Sequence, residues 1–539
     1  MSATSQRSSS SVISARLLEL ADERTSWNRS LWQLGTIVGL KEVLECIEGV
    51  SNKQMTKDIV AYVAPSMIRQ VARDEGVGTK AVRDAVLELL ADLKTYATTS
   101  DYIQKTDLLR QYCGRIEEDY LDNWHAYISL GNIPEQSYEL VARALLSHML
   151  DAGFDRSHLH GWLKSRTVSG ADLLALVSDA RTMEDQGVKT FDFLIPFEKM
   201  SQKVSDALGD HYVTPENYVT LASQVPQRLV KSIRKPAGAA RVQVQAKDPH
   251  AASRMAHSWA QRLKARISVG LEITDLRTGD YCYDETGHKL RRLRPEMPEV
   301  RVPSLQRNSI LIPDITNTSQ STAKIDDALE LLASLEQSSA GASIATTWAA
   351  VESLLGQPGG KNVEAADRLA DIVTCAFPSA EFSHLAQAKL ADHETGSDLQ
   401  DLRNEKATSA VRSDALLALI KSGRRIEYAE ADDDASFIRA HALAHEPKEV
   451  MGRIRGYYTD AFRRLYYQRN LVMHAGRFDS VSLSSTVRTL PILTAAGVDR
   501  IIRAHFANGG IDAIGLAARA KIELNLLGSD GARPIHRLI

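Results

Sequence analysis

The sequence predicts a mainly α protein, with a helical N-terminal domain, a small α/β middle module and a C-terminal helical bundle. Three observations carry this expectation. From about Val12 to Gly187, and again beyond Thr322, apolar residues recur three and four apart, the period of a helix face. Between these regions the period changes, and residues 190–196 (TFDFLIP) and 240–246 (ARVQVQA) alternate or run apolar as strands do. The chain has 539 residues, 44% hydrophobic and 25% charged, enough for about three globular cores.

Taken in order, the Ser-rich start from Ser2 to Ser11 lacks the apolar centre of a signal peptide, so residues 1–11 read as a disordered tail. Helices are expected at 15–21, 39–47, 82–93 and 138–150, inside an N-terminal domain spanning 12–187. The α/β module is placed at 188–315. There Asp248 caps a helix running to about Lys264, with Pro249 at its favoured first position. Residues 267–273 read as a strand returning from that helix, and 279–293 as a hairpin turning at 284–287. A Pro/Ser/Thr-rich linker over 312–322 follows. The C-terminal region, 325–539, is expected to hold helices at 323–337, 343–355, 363–376, near 398–422, at 447–473, and two more after Leu490.

Composition narrows the function. A formal charge of −3 excludes a global polycation, so any nucleic-acid contact must be local. Cys46, Cys113, Cys282 and Cys375 are scattered without a CxxC pair, which argues against a disulfide framework or a cysteine zinc site and fits a reducing cytoplasm. No run of about 18 apolar residues is present to span a membrane. The expectation is a cytoplasmic protein without a membrane segment or a cofactor.

The most informative segment is 466–476, YYQRNLVMHAG. Read as a helix, it puts Asn470 and His474, four apart, on one face. Arg469 is offset by one position, but its long stem can bring the guanidinium beside the imidazole. A cation that never deprotonates and a ring that titrates near neutrality suit metal-free RNA cleavage. The bare Arg-x4-His spacing recurs at Arg143/His148 and Arg500/His505, but only the Arg469 copy has Asn after Arg and Gly two positions after His. Around it Arg453, Arg455, Arg463, Arg464 and Arg477 form a basic stripe, of which Arg463, Arg464 and Arg477 are candidate RNA-binding residues.

Arg469-Asn470-x3-His474-x-Gly476 resembles the signature of HEPN domains, particularly the Apea-like branch. The earlier segment Trp348-x3-Glu352-x-Leu354 is similar to that branch's first core helix. The resemblance covers about residues 325–539. It implies a four- or five-helix bundle that forms a homodimer or higher homo-oligomer, bringing two Arg/His pairs into one cleft. Many such domains are metal-independent endoribonucleases, often toxins or effectors of anti-phage defence. On this resemblance His474 is the general acid/base, Arg469 stabilises the crowded phosphate, and Asn470 orients His474 or binds phosphate. Glu352 tunes the site or pairs with Arg469. RNA is the implied partner, and the upstream residues would sense a trigger such as a phage-derived ligand or partner protein, hold the nuclease off, or select substrate. Other HEPN domains are catalytically silent dimerisation or nucleotide-binding scaffolds, and that is the competing expectation.

Residues 68–89 have the spacing of a helix-turn-helix, with Ala72, Gly76, Val77 and Val82 as anchors and Thr79, Lys80 and Arg83 toward a groove. A plain αα-hairpin meets the same spacing, so a DNA-binding regulator is only the alternative. His441 and His445, at i and i+4, could hold zinc but lack a third ligand. Residues 356–361 (GQPGGK) follow a helix and lack the Ser/Thr of a phosphate loop, so they read as a helix stop. Lys289, Arg291, Arg292, Arg294, Arg301 and Arg307 give the α/β module a basic hairpin.

Overall fold

The computed structural model describes residues 8–223, 236–294, 300–312, 319–335, 338–391, 402, 407–424, 426–428, 430–507 and 510–539, and the chain is mainly α. It divides into two compact units, one of residues 1–148, 163–178 and 298–539, the other of 149–162 and 179–297. The two helical regions that the sheet separates in sequence therefore fall into one unit.

The N-terminal helices are α1 (Ser9–Ala21), α2 (Thr36–Ser51), α3 (Asp58–Val71), α4 (Lys80–Leu93), α5 (Ser100–Ser129), α6 (Tyr138–Asp151), α7 (Arg156–Val168) and α8 (Leu173–Asp185). Of the expected tail, residues 1–7 lie outside the described residues, but Ser9, Ser10 and Ser11 are helical. Serine is a poor helix interior and a good cap, and Ser8 caps α1 by accepting from the Ser11 N–H at 3.2 Å. The helix-turn-helix spacing is an αα-hairpin clamped on α5. Ala72 is exposed, Thr79 caps α4, and Arg83 pairs with Glu75 at 2.6 Å. Gly76 packs under Tyr120 and Trp124. Beside it the buried Asp74 carboxylate accepts from the Thr36 and Tyr120 hydroxyls and the Gly76 N–H.

In the second unit, β1 (Lys189–Lys199), α9 (Gln202–Leu208), β2 (Tyr212–Val213), α10 (Pro215–Ala222), β3 (Gly238–Ala246), α11 (Pro249–Leu271), β4 (Arg277–Thr278), β5 (Tyr281–Asp284) and β6 (Lys289–Arg292) build one sheet and its helices. The strand order is β2-β3-β1-β5-β6, with β4 also on β1, and every pairing is antiparallel. Strand periodicity sends Phe191, Phe193 and Ile195 against Ala252, Ala256 and Ala260 of α11. Leu194 and Tyr283 face the other way, against Tyr218 and Ala222 of α10. The strand expected at 267–273 is instead the end of α11, closed by Glu272 in a left-handed conformation. Ala260 and Ile267 are seven apart and buried on one helical stripe, while Val269 and Leu271 beyond them are exposed.

The chain continues with α12 (Ser304–Arg307), α13 (Gln320–Ala333), α14 (Ala340–Leu355), α15 (Val363–Ala391), α16 (Ser409–Lys421), α17 (Ala431–His445), α18 (Pro447–Ala475), α19 (Leu483–Ala507) and α20 (Ala513–Leu526). Helix α15 is central, packing on α14, α16, α17, α18, α19 and α20. It runs past the expected end at Ala376 through Pro378. Burial of Phe377, Phe382, Leu385 and Ala386 outweighs the backbone bond that proline removes. The stretch expected to be helical near 398–422 is described chiefly as α16, much of 398–406 lying outside the described residues. The four cysteines are free and buried, and burial pushes their thiols upward, Cys113 to about 11 and Cys282 to about 12. Among the described residues no helix is long and apolar enough to cross a membrane.

Candidate active site

Helix α18 positions the site. Pro447 occupies its first turn, and Gly476 ends it with φ 63°, a left-handed cap whose N–H donates to the Leu471 carbonyl. Its buried stripe runs Ile454, Tyr458, Ala461, Leu465, Gln468, Val472. Arg469, Asn470 and His474 lie off that stripe in its last two turns, Arg469 and Asn470 partly buried and His474 exposed.

The three side chains do converge. Arg469 Nη1 donates to Asn470 Oδ1 at 3.0 Å and meets His474 Nε2 at 3.0 Å. A guanidinium has no lone pair to offer, so in this contact His474 Nε2 is the acceptor and the ring proton resides on Nδ1. The imidazole thus presents a basic nitrogen beside a fixed cation. Because the site sits at the carbonyl end of α18, the helix dipole offers an anion nothing here, and the guanidinium must supply that attraction itself.

The basic stripe behaves differently from Arg469. Arg453 pairs with Glu449, Arg455 with Asp371, Arg463 with Asp367, Arg464 with Glu42, and Arg477 with both Glu45 and Asp479. Arg463 also lies over the Tyr62 ring, 4.7 Å from its centroid. The stripe is therefore largely neutralised within the chain. Among the described residues Arg469 makes no ion pair.

Glu352 is not part of this cluster. It accepts from Trp348 Nε1 at 3.1 Å. Gly341 of α14 lies against Val472 and Phe478, and Trp348 against Tyr466, so α14 runs antiparallel to α18. Counting from that Trp348–Tyr466 contact, Glu352 is four residues one way and Arg469 three the other, which is about 10 Å along the axis. Met473, Phe478 and Val481, near the site in sequence, are exposed.

The other candidate groups remain apart. His441 and His445 are exposed, with ring centroids 4.2 Å apart, and His445 Nδ1 contacts the His441 carbonyl. Among the described residues no group of three or more metal-binding side chains forms. In the hairpin Arg291 pairs with Asp284 at 2.8 Å, and Arg294 donates to the Ser157 hydroxyl.

Sequence reasoning missed a polar network beside the site. Gln468 Nε2 donates to Ser480 Oγ at 2.8 Å and to Ser482 Oγ at 2.7 Å. Ser480 donates to Glu45 and Ser482 to Glu42. Arg477 closes the first arm on Glu45 and Arg464 the second on Glu42. Burial pushes the Glu45 carboxyl above its ordinary range, the Ser480 hydroxyl and Arg477 offsetting only part of this. Gln468 was legible as a polar residue in an apolar stripe, but the α2 carboxylates that its partners Ser480 and Ser482 bond lie over 400 positions away and carry no local signal. Compared with family models, curated proteins and solved structures, the chain matches none.

Proposed function

We propose that this chain is a metal-independent endoribonuclease of the HEPN type. One observation carries the reading: Arg469 bonds Asn470 and His474 and has no carboxylate among the described residues, while five neighbouring arginines are ion-paired. A structural arginine would be neutralised as they are. One left with free N–H donors beside an unprotonated imidazole nitrogen suits an anionic substrate.

In the reaction, His474 Nε2 takes the proton of an RNA 2′-hydroxyl. The 2′-oxygen bonds to the adjacent phosphorus, the bond to the 5′-oxygen breaks, and a 2′,3′-cyclic phosphate forms. The 5′-oxygen leaves with a proton from the imidazolium form of a second His474, supplied by another copy of the chain in a homodimer. Arg469 stabilises the charge on the pentacoordinate phosphate, and Asn470 holds the guanidinium in line. The nucleophile is the substrate's own hydroxyl, so the step needs no metal and spares DNA. Such an activity in a cytoplasm is toxic, which fits a restrained anti-phage effector answering to a phage-derived trigger or partner protein; that role is an analogy with the family.

A non-catalytic scaffold is the second reading, favoured by the neutralisation of Arg463, Arg464 and Arg477. The deciding experiment incubates the protein with total RNA and transfer RNA in EDTA, beside His474→Ala and Arg469→Ala. Cleavage leaving cyclic phosphate ends, reduced by about 10²–10³ in each variant, is expected. Cleavage surviving in both variants would overturn the site.

A further inference from the structure

The Gln468 network occupies a place that packing alone does not explain. Gln468 uses both amide hydrogens on Ser480 and Ser482, while its Oε1 is buried without a partner. An orphaned buried acceptor is costly, so a leucine of similar volume would pack there more favourably. The two arms run in parallel, Gln468–Ser480–Glu45–Arg477 and Gln468–Ser482–Glu42–Arg464, and both carboxylates are buried. Together they pin residues 477, 480 and 482, the turn that follows His474, onto the residue preceding Arg469.

Helix ends fray, and His474 lies in the last turn of α18, within two residues of its cap. Arg469 lies more than a turn upstream, and the 3.0 Å contact between them survives only while the last turn stays wound. The pinned turn adds to the Gly476 cap in opposing that unwinding.

We infer that Glu42 and Glu45 of α2 are positioning residues for the Arg469/His474 pair, holding the turn after His474. This rests on the ribonuclease reading for its kinetic consequence, though not for its structural one. Replacing either carboxylate releases an arm, lets the last turn fray and separates His474 from Arg469. A purely structural role would lower stability and leave the site unchanged.

The test compares Glu42→Gln and Glu45→Gln in the full chain with Arg69→Ala. That control removes a different ion pair onto α18, Arg69 to Asp460 at 2.7 Å, fourteen residues before His474. Two readouts are taken: kcat and KM on one single-stranded RNA, and the rate at which diethylpyrocarbonate modifies His474, followed by peptide mass spectrometry. In both Gln variants kcat is expected to fall about tenfold with KM unchanged within about twofold, as a small misplacement of reacting groups does. His474 modification should rise severalfold because Nε2 loses Arg469. Arg69→Ala should shift Tm alone. If a Gln variant fails to fold, Ser480→Ala, which cuts one arm without removing a charge, takes its place. If the wild type cleaves no RNA but the modification rates still separate, the positioning stands independently of the ribonuclease reading. Gln variants that match Arg69→Ala in both readouts would overturn the inference.

Discussion

Arg469 illustrates how a single side chain's value depends on what its neighbours have already taken. Its sequence offset from Asn470 and His474 places it on another face, yet the guanidinium reaches both at 3.0 Å. The convergence was legible because it is local, all within six positions of one helix. The status of Arg463, Arg464 and Arg477 was not, since their partners Asp367, Glu42 and Glu45 are remote in sequence. Glycines show the same dependence on context. A Cβ at Gly76 would stand 2.5 Å from Trp124 Nε1 and from the Tyr120 ring, both buried and unable to yield. Gly76→Ala is therefore expected to lower stability by about 1–3 kcal/mol, the usual effect of overfilling a packed core. At Gly341 the added methyl would meet the Phe478 ring, which is 61% exposed and free to swing away. Gly341→Ala should leave the denaturant midpoint almost unchanged. Equal midpoints for the two variants would contradict this account of the contacts.

At the scale of elements, helices α2, α14 and α18 and strands β1 and β3 were readable from apolar period, while their ends often were not. Helix α15 passes Pro378 because tertiary burial outweighs local preference, whereas α11 runs on past Ile267 with Val269 and Leu271 exposed. Helix α11 also carries a titrating group that sets a pH dependence. Burial holds the His257 imidazole below its ordinary 6.5, so the ring stays neutral in the fold. Its Nε2 contacts the Gln261 amide at 3.3 Å, and its Nδ1 is buried without a partner. His250 is likewise held down by burial, with Asp155 and Asp248 pulling the other way. The unfolded chain takes up these protons near pH 6.5 and the folded one resists. The histidines' contribution is thus complete above pH 6.5 and is lost as pH falls through the lower native values. His257→Gln removes one of the two sites. Hydrogen exchange along α11 should then accelerate less on acidification below pH 6.5 than in the wild type. An unchanged pH slope would mean that His257 takes up its proton alike in the folded and unfolded chain, contradicting the lowered value.

For the whole molecule, fold class was legible from composition and period, but not that residues 1–148 and 298–539 share one compact unit. That fact resides in pairings no local pattern announces. Trp32 packs edge-on to Phe377 and Tyr458, with ring centroids 5.6 and 5.4 Å away, and Arg143 lies 3.7 Å over the Trp32 ring. Asn28 donates to Glu381, and Arg439 bridges Glu381 to Glu139. Burial would push the Glu139 and Glu381 carboxyls up, but the surrounding arginines prevail and hold both below their usual range. These contacts decide what deletion of the N-terminal region does. An N-terminal region that merely restrained a self-contained nuclease would, on removal, leave residues 319–539 folded and active. Here its loss would bare Phe377 and Tyr458, both fully buried, and strip Arg439 of Glu139. Exposed aromatic surface and a half-paired, partly buried arginine are each destabilising. The 319–539 fragment is therefore expected to lack a cooperative thermal transition by circular dichroism and to aggregate, recovering both fold and solubility when residues 8–148 are co-expressed as a separate chain. A fragment that melts cooperatively by itself and cleaves RNA would instead show that residues 1–148 act as a detachable restraint.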